Sequence, residues 1–293
     1  HKKYQKSVLL QKDRIFRGFS KFAVLLELGR GEDALKELND LDKKRILQRY
    51  RSRTLYMARL YCNALNHIPQ KPIPPFKEDA VTIAYGKYLK EKRLLLIGPA
   101  PTDFSDNEYD IILRMNDAEN DHKGKEPLGR NTDISYFCEE RTDKEIAAGQ
   151  TFSKLRFAVW KNRFNRVSEK YTNSRGTICC SEILTIGHFN MIPITLSDLL
   201  RFDWKELKII GTSLWIGNKI YSNDYIRSKE NTSIEDFLDG NSIHNVFSQF
   251  FFLQNMYKAG IFKADNSLCK ILTDTAATYA KQMEQSYLLT FRD

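Results

Sequence analysis

The sequence has few cysteines, and their spacing suits neither a metal site nor a disulfide framework. The five cysteines are odd in number, and no two of them form a Cys-x-x-Cys pair. This pattern argues against a small disulfide-stabilised secreted protein and against a zinc knuckle. It favours a reducing compartment, and we therefore expect a cytoplasmic protein.

The sequence also lacks a long hydrophobic run. No apolar stretch approaches the ~20 residues that a membrane-spanning helix requires. No signal-peptide pattern opens the sequence, so we expect neither secretion nor a spanning segment. Hydrophobic residues nevertheless make up 42% of the chain and aromatic residues 12%, which is enough for a packed core and excludes global disorder.

Basic residues outnumber acidic ones. Lys and Arg total 46 against 37 Asp and Glu, which gives a net charge of +9. This surplus suits anionic partners such as nucleotide phosphates, acidic glycans, nucleic acid or an anionic membrane surface, and it does not choose among them.

The hydrophobic pattern changes once along the chain. Apolar residues recur at helical spacing up to about residue 67, and four prolines between residues 67 and 75 then forbid a helix. Short apolar runs alternate with helical patterns after that point. The sequence thus predicts an α-helical amino-terminal region and linker over residues 1–75, followed by a Rossmann-like domain over residues 76–293.

The short apolar runs predict the strands of the second domain. They lie at residues 94–97, 111–113, 134–137, 157–160, 177–180, 207–210 and 269–272, with helical patterns at 192–202 and 246–257. Strands alternating with helices predict an α/β fold with a mostly parallel sheet and helices on both faces. In such sheets a ligand binds beyond the carboxyl ends of the strands.

Two predicted strands end in residues suited to a nucleotide. Gly98 follows the first strand and permits close backbone approach, and Thr102 offers a hydroxyl. Asn116 follows the second strand, where its amide can both donate to and accept from a base or ribose. An ordinary strand exit and a turn asparagine explain the same residues equally well.

Taken in order, these segments resemble a known family. The sequence Gly98-x-x-Pro-Thr102 is followed by Asp110-x-x-x-Arg-x-Asn116, and this order is similar to that of the bacterial sialyltransferases of glycosyltransferase family 42, which include the Campylobacter lipooligosaccharide sialyltransferases. The resemblance covers residues ~92–272 and implies the Rossmann-like, GT-A-variant fold of that family.

Three later segments extend the resemblance. Thr185-Ile-Gly187-His188 resembles the family's loop that opens a helix, and residues 205–215 resemble its strand leading into Gly-x-x-x-Tyr. Residues 243–245 resemble the start of the helix that carries the catalytic base. The resemblance implies His244 as that base and implies a donor-binding set formed by Gly98, Pro99, Thr102, Asn116, Thr185, Gly187, His188, Trp215 and Tyr221.

The resemblance implies an inverting transfer of sialic acid from a CMP-sugar to a glycan acceptor in surface polysaccharide or lipooligosaccharide synthesis. A histidine whose pKa lies near neutrality suits a general base for the acceptor hydroxyl. A CMP-sugar carries one phosphate, so we expect no metal requirement, and no Asp-x-Asp motif follows a predicted strand. The expected partners are the donor, a glycan or lipid-linked acceptor and, peripherally, the anionic inner membrane; no nucleic acid is expected.

The sequence departs from the family at three donor positions. Pro99 stands where the family has Asn, Ile186 where it has Ser, and Trp215 where it has a phosphate-binding Tyr. A different donor, such as CMP-Kdo, activated pseudaminic acid or another nucleotide sugar, therefore stays open. So do two other classes, a nucleic-acid-binding protein and a catalytically inactive scaffold, and His244 or His188 could merely lie at a helix start.

Overall fold

A computed structural model of the protein describes residues 14–43, 52–102, 108–117, 131–138, 141, 146, 149, 152–161, 171–178, 183, 189–217 and 246–290. Contacts among these residues divide the chain into two compact units. We call helical unit the described residues up to Glu78, from Ile178 to Arg201 and from 246 to Ile261, and sheet unit the described residues of 79–177, 202–217 and 262–290. The predicted boundary between residues 75 and 76 stays a prediction.

The sheet unit is built on one parallel sheet. Its strands are β1 (Arg93–Ile97), β2 (Ile111–Met115), β3 (Ile134–Phe137), β4 (Phe157–Trp160), β5 (Ser174–Gly176), β6 (Glu206–Ile210) and β7 (Lys263–Ala264). They lie in the order β5-β4-β3-β2-β1-β6-β7, and every neighbouring pair is parallel. The α/β, Rossmann-like arrangement with a parallel sheet is therefore confirmed.

The described helices are α1 (Arg14–Glu27), α2 (Gly31–Lys43), α3 (Ser52–Leu65), α4 (Ala80–Leu89), α5 (Met191–Leu199), α6 (Val246–Lys258), α7 (Asn266–Thr273) and α8 (Ala276–Thr290). Helix α4 covers part of the sheet through Tyr85, which is fully buried. The hydroxyl of Tyr85 lies 2.7 Å from that of Tyr136 on β3, and its ring packs edge-on against Phe157 of β4. Aromatic packing thus attaches α4 to the middle of the sheet.

In the helical unit, α6 packs against the carboxyl end of α1. Asn255 of α6 donates its side-chain N–H to the carbonyl of Leu26 at 3.0 Å, and Ser248 donates its hydroxyl to buried Glu27 at 3.0 Å. Gly29 ends α1 with a φ of +69°, and a Cβ there would lie 2.7 Å from the Asn255 side-chain oxygen. The close approach of α6 therefore depends on a glycine at this position.

Most strand predictions are confirmed, because those runs are mainly apolar and largely buried, as in a sheet covered on both faces. The runs at 94–97, 111–113, 134–137, 157–160 and 207–210 correspond to β1, β2, β3, β4 and β6. The helical pattern at 246–257 is confirmed as α6. The pattern at 192–202 is confirmed as α5, although that helix ends at Leu199.

Two strand predictions are wrong. The run at 269–272 lies in α7, where Leu268, Ile271 and Leu272 are buried at helical spacing. The fifth strand is Ser174–Gly176 rather than a strand beginning at Thr177, and the cysteines at 179 and 180 lie outside the described residues. Its buried residues are polar. Arg175 is fully buried beside the rings of Tyr85 and Phe202, so an apolar pattern could not reveal it.

Candidate functional site

The carboxyl edge of the sheet holds the candidate site. The first five strands follow one another outward from β1, and the chain then returns to place β6 on the other side of β1. The strand order thus reverses between β1 and β6. In open parallel sheets a ligand binds at such a reversal, beyond the carboxyl ends of the strands. The segments after β1, β2 and β6 therefore form the edge at which a ligand is expected.

The loop after β1 is joined directly to the turn after β6. Gly98 donates its N–H to the carbonyl of Ile210 at 2.8 Å, and Ala100 donates to that of Gly211 at 2.8 Å. A Cβ on Gly98 would lie 2.3 Å from the Gly211 carbonyl oxygen, and Gly211 itself has a φ of +62°. The close approach that Gly98 allows is thus to the backbone of Gly211, and both glycines are required by it.

A buried carboxylate lies beneath this junction. Asp265 follows β7, is 5% exposed, and accepts the N–H of Gly211 at 2.8 Å and the hydroxyl of Thr102 at 3.1 Å on the same oxygen. Its other oxygen accepts the N–H of Leu268 at 2.8 Å and caps α7. Sequence reasoning missed Asp265, although an aspartate before an apolar helical pattern is a recognisable cap signal.

The segment after β2 is fixed by Asn116. This residue has a φ of +56°, in the left-handed region that asparagine tolerates better than most residues. Its N–H donates to the carbonyl of Tyr136 at 2.8 Å, and its side-chain oxygen accepts the N–H of Cys138 at 2.9 Å. Asn116 is 6% exposed, so it joins the ends of β2 and β3 from a largely buried position.

Polar side chains near the end of β2 contact one another. Arg114, the arginine of the motif that begins at Asp110, is buried and donates to the hydroxyl of Thr132 at 2.9 Å. That hydroxyl also contacts the carboxylate of Asp117, whose N–H donates to the Ser135 hydroxyl at 2.9 Å. The end of β2 therefore carries a positive charge and a negative charge that share one threonine.

The segment after β6 contains a strained turn. Ile216 donates its N–H to the carbonyl of Ser213 at 2.9 Å, and the two central residues, Leu214 and Trp215, have φ values of +46° and +64°. Positive φ at both central positions is typical of turns made by glycine, asparagine or aspartate. The hydroxyl of Tyr279 on α8 donates to the Leu214 carbonyl at 2.9 Å and holds the turn. Trp215 itself is 6% exposed.

The structure thus brings several predicted residues to one edge of the sheet. Gly98, Pro99 and Thr102 follow β1, Asn116 follows the neighbouring β2, and Trp215 follows β6 on the other side of β1. The other predicted residues lie outside the described residues: Thr185, Gly187, His188, Tyr221 and His244.

In the helical unit, residues that follow His188 in the chain contact residues that follow His244. Asn190, at the start of α5, donates its N–H to the side-chain oxygen of Gln249 on α6 at 3.0 Å. The rings of Phe189 and Phe252 lie 4.9 Å apart. The residues that follow the predicted Thr-x-Gly loop therefore pack on the first turns of the helix that follows the predicted histidine.

In the described part of the chain, no group of three or more His, Cys, Asp or Glu side chains could hold a metal ion. None of the helices there is both long and apolar enough to cross a membrane. Comparison with models of protein families, with curated proteins and with solved structures gave no significant match.

Proposed function

We propose that the protein is a metal-independent, inverting glycosyltransferase that transfers sialic acid from a CMP-sugar to an acceptor hydroxyl on a glycan. The family resemblance suggests the chemistry. The geometry of the sheet unit supports a nucleotide site at the position that the resemblance implies.

One observation carries the proposal. In the described part of the chain, three of the six non-glycine residues at positive φ follow the carboxyl ends of β2 and β6: Asn116, Leu214 and Trp215. These strands flank β1, beside which the strand order reverses. Non-glycine residues held at positive φ cost of order 1–3 kcal/mol each and cluster at active and ligand-binding sites. A protein that maintains such strain at the expected ligand edge is consistent with a binding function there.

The donor would lie along this edge. Backbone groups of the Gly98–Thr102 loop and the amide of Asn116 would contact the nucleotide, while Tyr221 would donate to the phosphate that leaves. His244 would accept the proton of the acceptor hydroxyl. Thr102 donates its single hydroxyl proton to Asp265 in this structure, so in this arrangement it offers a ligand only its oxygen as an acceptor.

A second donor is favoured by one specific feature. Trp215 occupies the position of a phosphate-binding tyrosine in the resembled family, and it is almost entirely buried. A buried indole in a strained turn offers no phenol to a phosphate. The alternative substrate for the same fold is therefore CMP-Kdo or another activated acid, whose phosphate would be bound by other hydrogen-bonding groups.

Net charge bears on the choice of acceptor and on the location of the protein. With a net charge of +9, the protein would favour an anionic or lipid-linked acceptor at the cytoplasmic side of the inner membrane. Transfer rates measured with matched neutral and acidic acceptors test this point. Equal rates at low salt would contradict it.

The experiment that tests the donor compares nucleotides by thermal unfolding. A ligand at 100 times its Kd stabilises the folded protein by about 2.7 kcal/mol. We expect CMP and CDP to raise the melting temperature and UDP and GDP to leave it unchanged. Stabilisation by UDP or GDP alone would contradict a cytidylate site.

The base is tested by His244→Ala. We expect this variant to lose transfer by about 10²–10⁴-fold, the contribution of a general base, while it still binds CMP. Transfer is measured by release of CMP from the donor, and binding by titration calorimetry. Normal transfer by the variant would show that another group accepts the proton.

A further inference from the structure

Asp265 connects three segments that are far apart in the sequence. Its carboxylate receives hydrogen bonds from Thr102 after β1, from Gly211 after β6, and from Leu268 in the first turn of α7. The side chain is 5% exposed, so water contributes little to these bonds. A buried carboxylate that accepts three donors fixes those donors relative to one another.

The two oxygens of Asp265 have separate roles. One oxygen accepts the Leu268 N–H and so caps α7, a task that asparagine or serine performs as well as aspartate. The other oxygen accepts both Gly211 and Thr102. Capping α7 does not require the second oxygen to accept any hydrogen bond. Its two bonds therefore serve to join the loops that contain Gly211 and Thr102.

Those loops belong to the strands at which the strand order reverses. β1 and β6 are neighbours, and their backbone hydrogen bonds continue beyond the strands to Ala100 and Gly211. The second oxygen of Asp265 accepts hydrogen bonds from both of these loops, from the Gly211 N–H and from the Thr102 hydroxyl. It therefore determines where the loop from Gly98 to Thr102 lies at the edge where a ligand is expected.

We infer that Asp265 is a positioning residue for nucleotide binding, acting through Thr102 and Gly211. The inference rests on the proposed function, because it assumes that these loops contact CMP. Asp265 itself does not touch the nucleotide. Its carboxylate keeps the two loops in the geometry that binds it, so the loops need not be ordered when the nucleotide arrives.

The substitution Asp265→Asn separates the two roles. The amide of asparagine keeps the oxygen that caps α7. Where aspartate has its second oxygen, asparagine has an NH₂ group, so the Gly211 N–H loses its acceptor. Asp79→Asn is the matched control, since Asp79 caps α4 by accepting the Thr82 N–H at 2.6 Å. Thr102→Val removes the second donor, and Thr102→Ser restores a hydroxyl.

The measurement is CMP affinity by titration calorimetry, at a temperature where circular dichroism shows each variant to be folded. We expect Asp265→Asn and Thr102→Val each to weaken CMP binding about tenfold, the equivalent of one hydrogen bond. Asp79→Asn should bind CMP as the unmodified protein does. Thr102→Ser should bind more tightly than Thr102→Val. If Asp265→Asn does not fold, the two Thr102 variants decide.

The outcomes separate two failures. If the unmodified protein binds CMP and both Asp265→Asn and Thr102→Val bind it equally well, Asp265 is only a helix cap and the positioning role is wrong, while the proposed function stands. If the unmodified protein binds no CMP, the proposed function is wrong and the positioning role is wrong with it.

Discussion

The two edges of the parallel sheet are built from different chemistry. At the amino edge, charged side chains pair at or before the first residues of the strands: Lys263 lies 2.7 Å from Glu206, and Arg93 lies 3.2 Å from Glu108. At the carboxyl edge the contacts are made by backbone groups, glycines and buried side chains, among them Asp265 and Arg114. The amino edge is exposed and ionic, whereas the carboxyl edge is close-packed.

The difference shows where the molecule tolerates change. Exposed ion pairs contribute about 0–1 kcal/mol each and are screened by salt, so their residues can be replaced at little cost. The carboxyl edge contains Gly98 and Gly211, where no side chain fits, and Asn116, whose φ suits few residues. Three non-glycine residues at positive φ follow strands at the carboxyl edge, whereas one, Glu91, precedes β1 at the amino edge. More strain and a close glycine contact at the carboxyl edge are consistent with binding there.

Of the substitutions that test this comparison of the two edges, Gly98→Ala should cause the largest loss in the free energy of unfolding. In Gly98→Ala the Cβ would meet the backbone carbonyl of Gly211 at 2.3 Å, and backbone cannot move aside as a side-chain end can. We expect a loss of about 3 kcal/mol or more, at the upper end of overpacking. Urea unfolding measures it.

Gly260→Ala is the control for the Gly98 substitution. This glycine has a φ of +64° and nothing within 4 Å of an added Cβ, so only the backbone conformation opposes the change. We expect a cost of about 1–2 kcal/mol. Equal losses in the two variants would show that the contact between Gly98 and Gly211 is not close.

Asn116→Ala should have the next largest effect. It removes the acceptor of the Cys138 N–H and places alanine at a φ of +56°. We expect the free energy of unfolding to fall by about 2–3 kcal/mol. Asn116→Gly also removes the side-chain acceptor, but glycine adopts a φ of +56° without strain, so its loss of unfolding free energy should be smaller. A glycine variant that is less stable than the alanine variant would contradict this explanation.

Glu206→Gln should have the smallest effect. The hydrogen bond from Lys263 lowers the pKa of the Glu206 carboxyl, and the Tyr109 hydroxyl and the Arg93 charge assist. At pH 7 we expect Glu206→Gln to lose no more than about 1 kcal/mol of unfolding free energy.

The sign of the pH dependence follows from the lowered pKa. The carboxylate contributes its full stability above its unfolded pKa of about 4.3, and that contribution disappears as the pH falls through the lower folded value. The difference in unfolding free energy between the unmodified protein and Glu206→Gln should therefore disappear once the pH is below the folded pKa of Glu206. A difference that persists at low pH, or that is insensitive to salt at pH 7, would contradict an ionic role.

The sequence predicted those parts of the fold that depend on local pattern. Buried parallel strands such as β1 and β4 are continuous apolar runs, and they are found where the pattern placed them. β5 was misplaced because its buried residues include Arg175, and β7 has only the two residues Lys263 and Ala264, too few to form a pattern.

The site was predicted less completely than the fold. Gly98 and Asn116 could be named because they follow apolar strands, whereas Trp215 is implied only by the family resemblance. The sequence marks Asp265 as a helix cap, but its role at the site could not be predicted, since it contacts Thr102 and Gly211, which lie 163 and 54 residues away in the chain. No local pattern encodes contacts at such separations. The strain at Trp215 was equally invisible, because the turn is held by the hydroxyl of Tyr279 on α8, 65 residues from Leu214 in the chain.

The most direct test of the central claim is a crystal structure of the protein soaked with CMP and an inert CMP-sugar analogue. We predict that the cytidylate binds beyond the carboxyl ends of β1, β2 and β6, beside the loop that begins at Gly98. A nucleotide bound at the amino edge near Glu206, or no bound nucleotide at saturating concentration, would contradict the account.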